Sequence, residues 1–424
     1  MLDIKRIRLE PEKYKRGLAS KGAGVKLNEL LELDEARRQR VSQSDDLKAV
    51  RNRVSKEIGS LRKAGQTAEA EIAEMQTVGD QIRQLDAEIK EIELNLDSII
   101  VALPNLPHES VKVGRSEADN EVLRYWGEKP AYDFGLRDHF DLGESLGILD
   151  FYHSANISGA GFPLYMNEGA RLERALINFM LDFHTEKHGY GEVFPPFLVT
   201  RDAAFGTGQL PKLEADMYLD KESDLFMIPT AEVPVTNIHR GEILPESRLP
   251  IHYAAYSACF RREAGSYGKE TRGLSRVHQF NKVEMVRFTK PEDSYAAHEQ
   301  LLQDAEEILQ TLKLHYRILE LCTADLSFAA AKCYDIEVWA PGSQKYYEVS
   351  SVSNFEDFQA RRANIRYRRE SDGKVDFVHT LNGSGVATPR LMIALLETYQ
   401  SDEGRIIIPE VLHPYTGFTQ IKKK

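Results

Sequence analysis

The residues with the clearest chemistry are Phe260-Arg261-Arg262-Glu263, then Gly265, Thr271-Arg272-Gly273-Leu274 and His278-Gln279-Phe280-Asn281-Lys282-Val283-Glu284. A guanidinium is a planar, permanently charged fork that meets phosphate oxygens two at a time. Arginines set beside carboxylates and a flat aromatic ring therefore predict a site for a polyanion together with an amine, such as a nucleotide and an amino acid. The polar, glycine-rich stretch lies between two apolar runs, Ala254 to Phe260 and Val277 to Phe288, which predicts a long hairpin holding the arginines over a ligand. An isolated Arg-x-Glu would mean little, because surface ion pairs are common and weak.

The elements around this run divide the chain. From about Leu27 to Ile99 there is no proline, and Glu, Lys, Arg, Gln, Leu and Ala predominate, which favours long helix. Ile72, Met75, Val78, Ile82, Leu85, Ile89, Ile92, Leu96 and Ile99 recur at steps of three and four, the seam of a coiled coil, with a shorter stripe at Leu47, Val50, Val54, Ile58 and Leu61. Lys63-Ala64-Gly65-Gln66 interrupts the pattern and predicts an antiparallel helical hairpin. Nine basic residues against three acidic ones fill Arg37 to Lys63, whereas nine acidic and two basic ones fill Thr67 to Ile99. This asymmetry has two readings. Either the helices pair through their charges, or Arg37, Arg38, Arg40, Lys48, Arg51, Arg53 and Lys56 meet RNA phosphates along a backbone. Pro104, Pro107 and a polar stretch mark a linker, so the expected division is 1–103, a linker over 104–119, and 120–424. In the last part helical patterns (Asp138 to Leu146, Gly169 to His188, Pro291 to Leu312, Pro389 to Gln400) mix with grouped strand runs (Ile336 to Trp339, Lys345 to Ser353, Arg405 to Ile408). Grouped strands predict an α+β domain with an antiparallel sheet.

Composition narrows the function classes. The 424 residues are 42% hydrophobic and 29% charged, as in a folded globular protein of two or three domains. No run of about 18 apolar residues suggests a membrane span, and the start lacks the character of a secretory or transit segment, so a cytoplasmic location is expected. Three cysteines (Cys259, Cys322, Cys333) without a CxxC pair point to free thiols in a reducing compartment, with no zinc expected. There is no HExxH, P-loop or GxGxxG signature. The net charge of -11 does not bear on phosphate contact, which depends on local charge.

The Phe260–Glu284 run resembles motif 2 of the class II aminoacyl-tRNA synthetases, in the version carried by the seryl-tRNA synthetase family. Four further segments, and a loop near one of them, resemble that family. Gly189-Tyr190 to Pro195-Pro196-Phe197-Leu198 is similar to motif 1, with Pro196 as the signature proline. Ile228-Pro229-Thr230-Ala231-Glu232-Val233-Pro234 is similar to its TAE loop, and Gly206 to Pro211 to its mobile loop. Tyr347-Glu348-Val349-Ser350-Ser351-Val352-Ser353-Asn354 and Leu381-Asn382-Gly383-Ser384-Gly385-Val386-Ala387-Thr388-Pro389-Arg390 complete the set, the last resembling motif 3. Thr388-Pro389 departs from the more usual Val-Gly.

The resemblance implies a bacterial-type ligase that activates L-serine with ATP and Mg²⁺ and passes it to tRNA(Ser), with tRNA(Sec) as a second allowed acceptor and a homodimer formed around motif 1. It implies catalytic roles for Arg261 and Arg390, ATP contacts from Arg261, Arg262, Glu263, Phe280, Glu348, Val349, Ser350, Ser351 and Arg390, and Mg²⁺ ligands in Glu348 and Ser351. Thr230, Ala231, Glu232, Glu284, Asn382 and Ser384 are the implied serine pocket. Glu348 and Ser351 have opposite parity on a strand, so a bulge or a strand end is expected if both face one site. A homologue that loads a carrier protein would lack the long N-terminal arm, and a non-enzymatic coiled-coil protein would not need these arginines and carboxylates. A histidyl- or threonyl-type enzyme would carry other substrate loops.

Overall fold

The computed structural model describes residues 1–23, 26–263 and 272–423. The chain forms two compact units, Met1–Pro104 and Asn105–Lys424. Gly265 and Thr271 lie outside the described residues.

In the first unit, short helices at Ile4–Leu9 and Pro11–Ser20 precede two long ones, Leu27–Lys63 and Glu69–Ile100. Gly65, at a φ of 73°, sits in the turn between them, a conformation that costs glycine nothing. Arg37 pairs with Glu93, Arg40 with Glu88 and Lys48 with Asp86. Partner numbers fall in one helix as they rise in the other, so the helices run antiparallel. Val54, Val78, Ile82 and Ile99 are the most deeply buried positions of the predicted stripes, and Ile72 is exposed because so thin a hairpin covers only part of its seam.

The second unit is built on an eight-stranded sheet. In chain order its strands are β1 (Glu121–Trp126), β2 (Gly191–Val193), β3 (Ile251–Phe260), β4 (Gln279–Thr289), β5 (Tyr316–Glu320), β6 (Lys332–Ala340), β7 (Lys345–Asn354) and β8 (His379–Ala387). They lie in the order β1-β5-β6-β7-β8-β4-β3-β2. Every neighbouring pair is antiparallel except β2 with β3. Alternation along β4 assigns its side chains to two faces. Val283 and Met285 enter the main core with Leu301, Leu302 and Ala305 of the Ser294–Thr311 helix and with the Thr388–Thr398 helix. Val286 and Phe288 enter a smaller core with Ala255, Ala360 and Tyr367. Arg287 shares the main-core side with Val283 and Met285, and there its Nη2 lies 2.5 Å from Asp304 Oδ2 and its Nε donates to Tyr190 Oη at 2.7 Å. An ion pair this deeply buried needs such additional hydrogen bonds to offset its desolvation.

Candidate active site

On the side of β4 occupied by Val286 and Phe288, the even residues Phe280, Lys282 and Glu284 continue outward to line a cavity of about 630 Å³. Ala255, Ser257 and Cys259 of β3 face Glu284, Lys282 and Phe280 in register. These side chains are small, which leaves room for the long ones beside them. From β8 come Asn382 and Ser384, from β7 Glu348, Val349 and Ser351, from the start of the short Glu232–Thr236 helix Glu232, and from the adjoining loops Thr230, Arg261 and Glu263. Arg390 completes the wall from the first turn of the Thr388–Thr398 helix, directly after a proline suited to that turn.

The expected bulge is present on β7. Ile336 pairs with Ser350 but Glu337 pairs with Glu348, so Val349 is the extra residue and both Glu348 and Ser351 reach the cavity. Three sequence-predicted positions take other places. Ser350 is buried and donates to the Ser384 carbonyl at 2.6 Å, because the bulge turns it behind the wall. Ala231 caps the Glu232–Thr236 helix and packs in the smaller core. Arg262, just past the end of β3, is exposed and lies outside the cavity lining, its backbone N–H donating to Asp216 O.

The ionic pattern divides the lining. Arg276 donates to Glu263 at 2.9 Å, Lys282 forms an ion pair with Glu284, and Arg390 lies 3.5 Å from Glu348 and donates to its carbonyl at 2.8 Å. Glu232 and Arg261 have no ion-pair partner among the described residues. Glu232 is buried and accepts from Gln359 Nε2 at 2.6 Å. Burial, and secondarily the charge of Glu284, pushes its carboxyl up to about 7. Arg261 donates to the Pro229 carbonyl and its guanidinium lies 5.1 Å from the Phe280 ring centroid. Glu284 is held on both oxygens, accepting from Asn382 at 2.9 Å and from Thr230 at 3.1 Å.

Three residues of this site were not assigned from sequence. Lys282 could have been found from its i, i+2 spacing with Phe280 and Glu284. Arg276 and Gln359 carry no local signal, because their partners Glu263 and Glu232 are distant in sequence or lie across a loop. The departure at Thr388-Pro389 also has a structural correlate. Thr388 Oγ1 hydrogen-bonds the buried Glu173 carboxyl and the Asn281 carbonyl, and burial pushes Glu173 up to about 7.

Comparison with known proteins agrees with this geometry. Residues 1–107 match the model of the seryl-tRNA synthetase N-terminal domain, and residues 213–399 match that of the tRNA synthetase class II core domain (G, H, P, S and T). A serine–tRNA ligase of Chlorobium phaeovibrioides is 58% identical over 429 residues, covering 99% of each chain. The chain belongs to the seryl-tRNA synthetase family. The crystal structure of the Pyrococcus horikoshii seryl-tRNA synthetase complexed with ATP superposes with a TM-score of 0.96 at 40% identity, covering 100% of both chains. The cytoplasmic serine–tRNA ligase of Naegleria fowleri, in complex with AMP, gives 0.90 at 29% identity over 100% of this chain and 99% of that one.

In the basic helix, Arg38 is paired with Asp34 and Glu35, while Arg37, Arg40 and Lys48 reach the acidic helix. Arg53 makes only a long contact of 3.9 Å to Glu57. Arg51 and Lys56 are exposed and have no ion-pair partner among the described residues. The charge-pairing reading therefore accounts for the first part of the helix and leaves the part nearer the turn unneutralised.

Proposed function

We propose that the cavity takes ATP and L-serine side by side, Glu232 receiving the α-ammonium and Arg261 the anionic groups. The observation that carries this is the leftover pair. Among the described residues the other long cations of the cavity are matched, and Glu232 and Arg261 remain to complement a zwitterion and a phosphate. The protein is an aminoacyl-tRNA ligase that activates serine with ATP and delivers it to tRNA. The serine carboxylate attacks the α-phosphorus, pyrophosphate leaves, and a terminal hydroxyl of the tRNA then attacks the acyl carbon of seryl-adenylate, releasing AMP. Such a reaction needs positioning and charge neutralisation rather than a protein nucleophile.

Arg261 is assigned to the α-phosphate and Arg390, at a helix start, to the leaving pyrophosphate. Phe280 supplies a face for adenine and Glu263 an acceptor for its amino group. Thr230, Glu284, Asn382 and Ser384 surround the serine side chain. The oxygen donors of Glu348 and Ser351, brought to one face by the bulge, fit Mg²⁺, which keeps most of its ligands as water and phosphate. When bound, the ion would supply neutralisation of the phosphate charge. Arg51, Arg53 and Lys56 are the arm residues assigned to tRNA(Ser) phosphates, with tRNA(Sec) as a further acceptor. The exposed apolar side chains Phe194 and Leu198, flanking Pro196, support a homodimer through the motif 1 region. Among the described residues no helix is long and apolar enough to cross a membrane, and the assigned location is the cytoplasm, where tRNA is charged.

The test is pyrophosphate exchange with each standard amino acid, beside charging of total tRNA by the full chain and by a variant lacking residues 27–100. Serine-dependent exchange, with charging lost when the arm is removed, is the expected result. Exchange with another amino acid overturns the pocket assignment, and unaltered charging without the arm overturns the role of the hairpin.

A further inference from the structure

Lys282 is the lining residue that neither phosphate nor ammonium binding explains. It is only 6% exposed, forms an ion pair with Glu284, and its Nζ lies 3.0 Å from Thr230 Oγ1. Taking an ammonium this far out of water is costly even when it is paired. Its presence changes the charge of the pocket. With Glu232 ionised, the form that binds an ammonium, Glu232 and Glu284 bring two carboxylates and Lys282 one ammonium, which leaves one negative charge among these three lining groups.

We infer that Lys282 is a specificity-determining residue, which fixes the pocket charge so that it accepts one substrate ammonium and rejects an amino acid with a second ammonium on its side chain. The relevant competitor is L-2,3-diaminopropionate, which has the size of serine with an amine in place of the hydroxyl; the neighbouring α-ammonium lowers the pKa of that amine, so the comparison is run on the acid side of neutral, where both amines are protonated. This rests on the serine reading of the cavity. An entering α-ammonium balances the remaining charge, and a neutral hydroxyl adds none. A side-chain ammonium would meet a like charge at Lys282 and a Glu284 whose oxygens already accept from Asn382 and Thr230. Rejection of this kind is built from a repulsive element. Without the lysine, two carboxylates face the pocket and a diamino acid supplies both counter-charges.

The experiment is pyrophosphate exchange with serine and with L-2,3-diaminopropionate, using the unaltered protein, Lys282→Met and Lys282→Arg. The unaltered protein should favour serine in kcat/KM by about a hundredfold or more, and K282M should raise the diaminopropionate-to-serine ratio by about tenfold or more. The KM for ATP should stay within about threefold throughout, since no phosphate contact is removed. K282R, which keeps the charge, should keep the preference for serine. Loss of serine activation in K282M with no change in the ratio would make Lys282 a structural counter-ion and overturn the inference. If K282M does not fold, equal use of both amino acids by the unaltered protein, or a lost preference in K282R, overturns it equally. Absence of serine-dependent exchange in the unaltered protein is a distinct outcome, which removes the serine assignment and the inference together.

Discussion

Arg40 meets Glu88 across the helical hairpin with both side chains more than a third exposed, 36% and 38%, whereas Arg287 meets Asp304 behind the sheet at 4% and 3%. The partners are the same in kind and differ in environment. In the hairpin, water screens each pair, so forming or breaking one changes little, and the charges are available to a polyanion. Behind the sheet, each group has lost its hydration and depends on its partner and on Tyr190 for compensation. The buried pairs therefore fix the frame that carries β4, while the exposed ones set the charge of a surface.

Removing one buried partner should give the largest effect. Arg287→Ala leaves the buried Asp304 carboxylate with only the neutral donors Tyr190 and Gln300 and should cost about 3–5 kcal/mol, measured by urea unfolding. Equal stability in that variant would end the contrast between the two regions. Next in size, Arg390→Ala should lower pyrophosphate exchange by about 10²–10³-fold with an unchanged unfolding midpoint, because the arginine acts on developing charge.

A pH series sharpens the same contrast. Glu232 is pushed up to about 7 from an ordinary 4.5, so the unfolded chain sheds this proton at lower pH than the folded one. Its contribution to stability is full below pH 4.5 and is lost as pH rises through about 7. Glu173, also at about 7, acts in the same direction. Serine binds through the ionised carboxylate, so its apparent affinity should rise as pH climbs from about 6 to 8. Glu232→Gln should bind serine weakly at every pH, and an unaltered pH profile in that variant would assign the titration elsewhere.

The smallest stability effects belong to the arm. A double Arg51→Ala and Lys56→Ala variant should change stability by less than about 0.5 kcal/mol and raise the KM for tRNA about tenfold, with a shallower salt dependence. Arg40→Ala should cost no more than about 1 kcal/mol. A change in serine-dependent exchange without tRNA in either arm variant would show that the two regions are not functionally separable.

The residues decided a good deal without the fold. Helical composition, two apolar stripes and a glycine break determined the antiparallel hairpin, because a helix and its turn are local in the chain. Two apolar runs around a glycine-rich stretch determined the hairpin of β3 and β4, for the same reason, whereas the face on which Phe280 and Glu284 lie came with the register of the sheet. Motif resemblance led to Arg261, Glu232 and Arg390, all of which line one cavity. Only the tertiary structure decided which charges were left over. Arg276 meeting Glu263, Gln359 meeting Glu232 and Glu173 meeting Thr388 are pairings between separate segments, and nothing in one segment's spacing records the charge that another will bring. The same holds for the arm, where Arg38 and Arg53 find partners within their own helix but Arg37, Arg40 and Lys48 become paired only when the acidic helix is laid against them. Neutralisation depends on distances of a few ångströms between chain-distant groups, and those distances are set by packing.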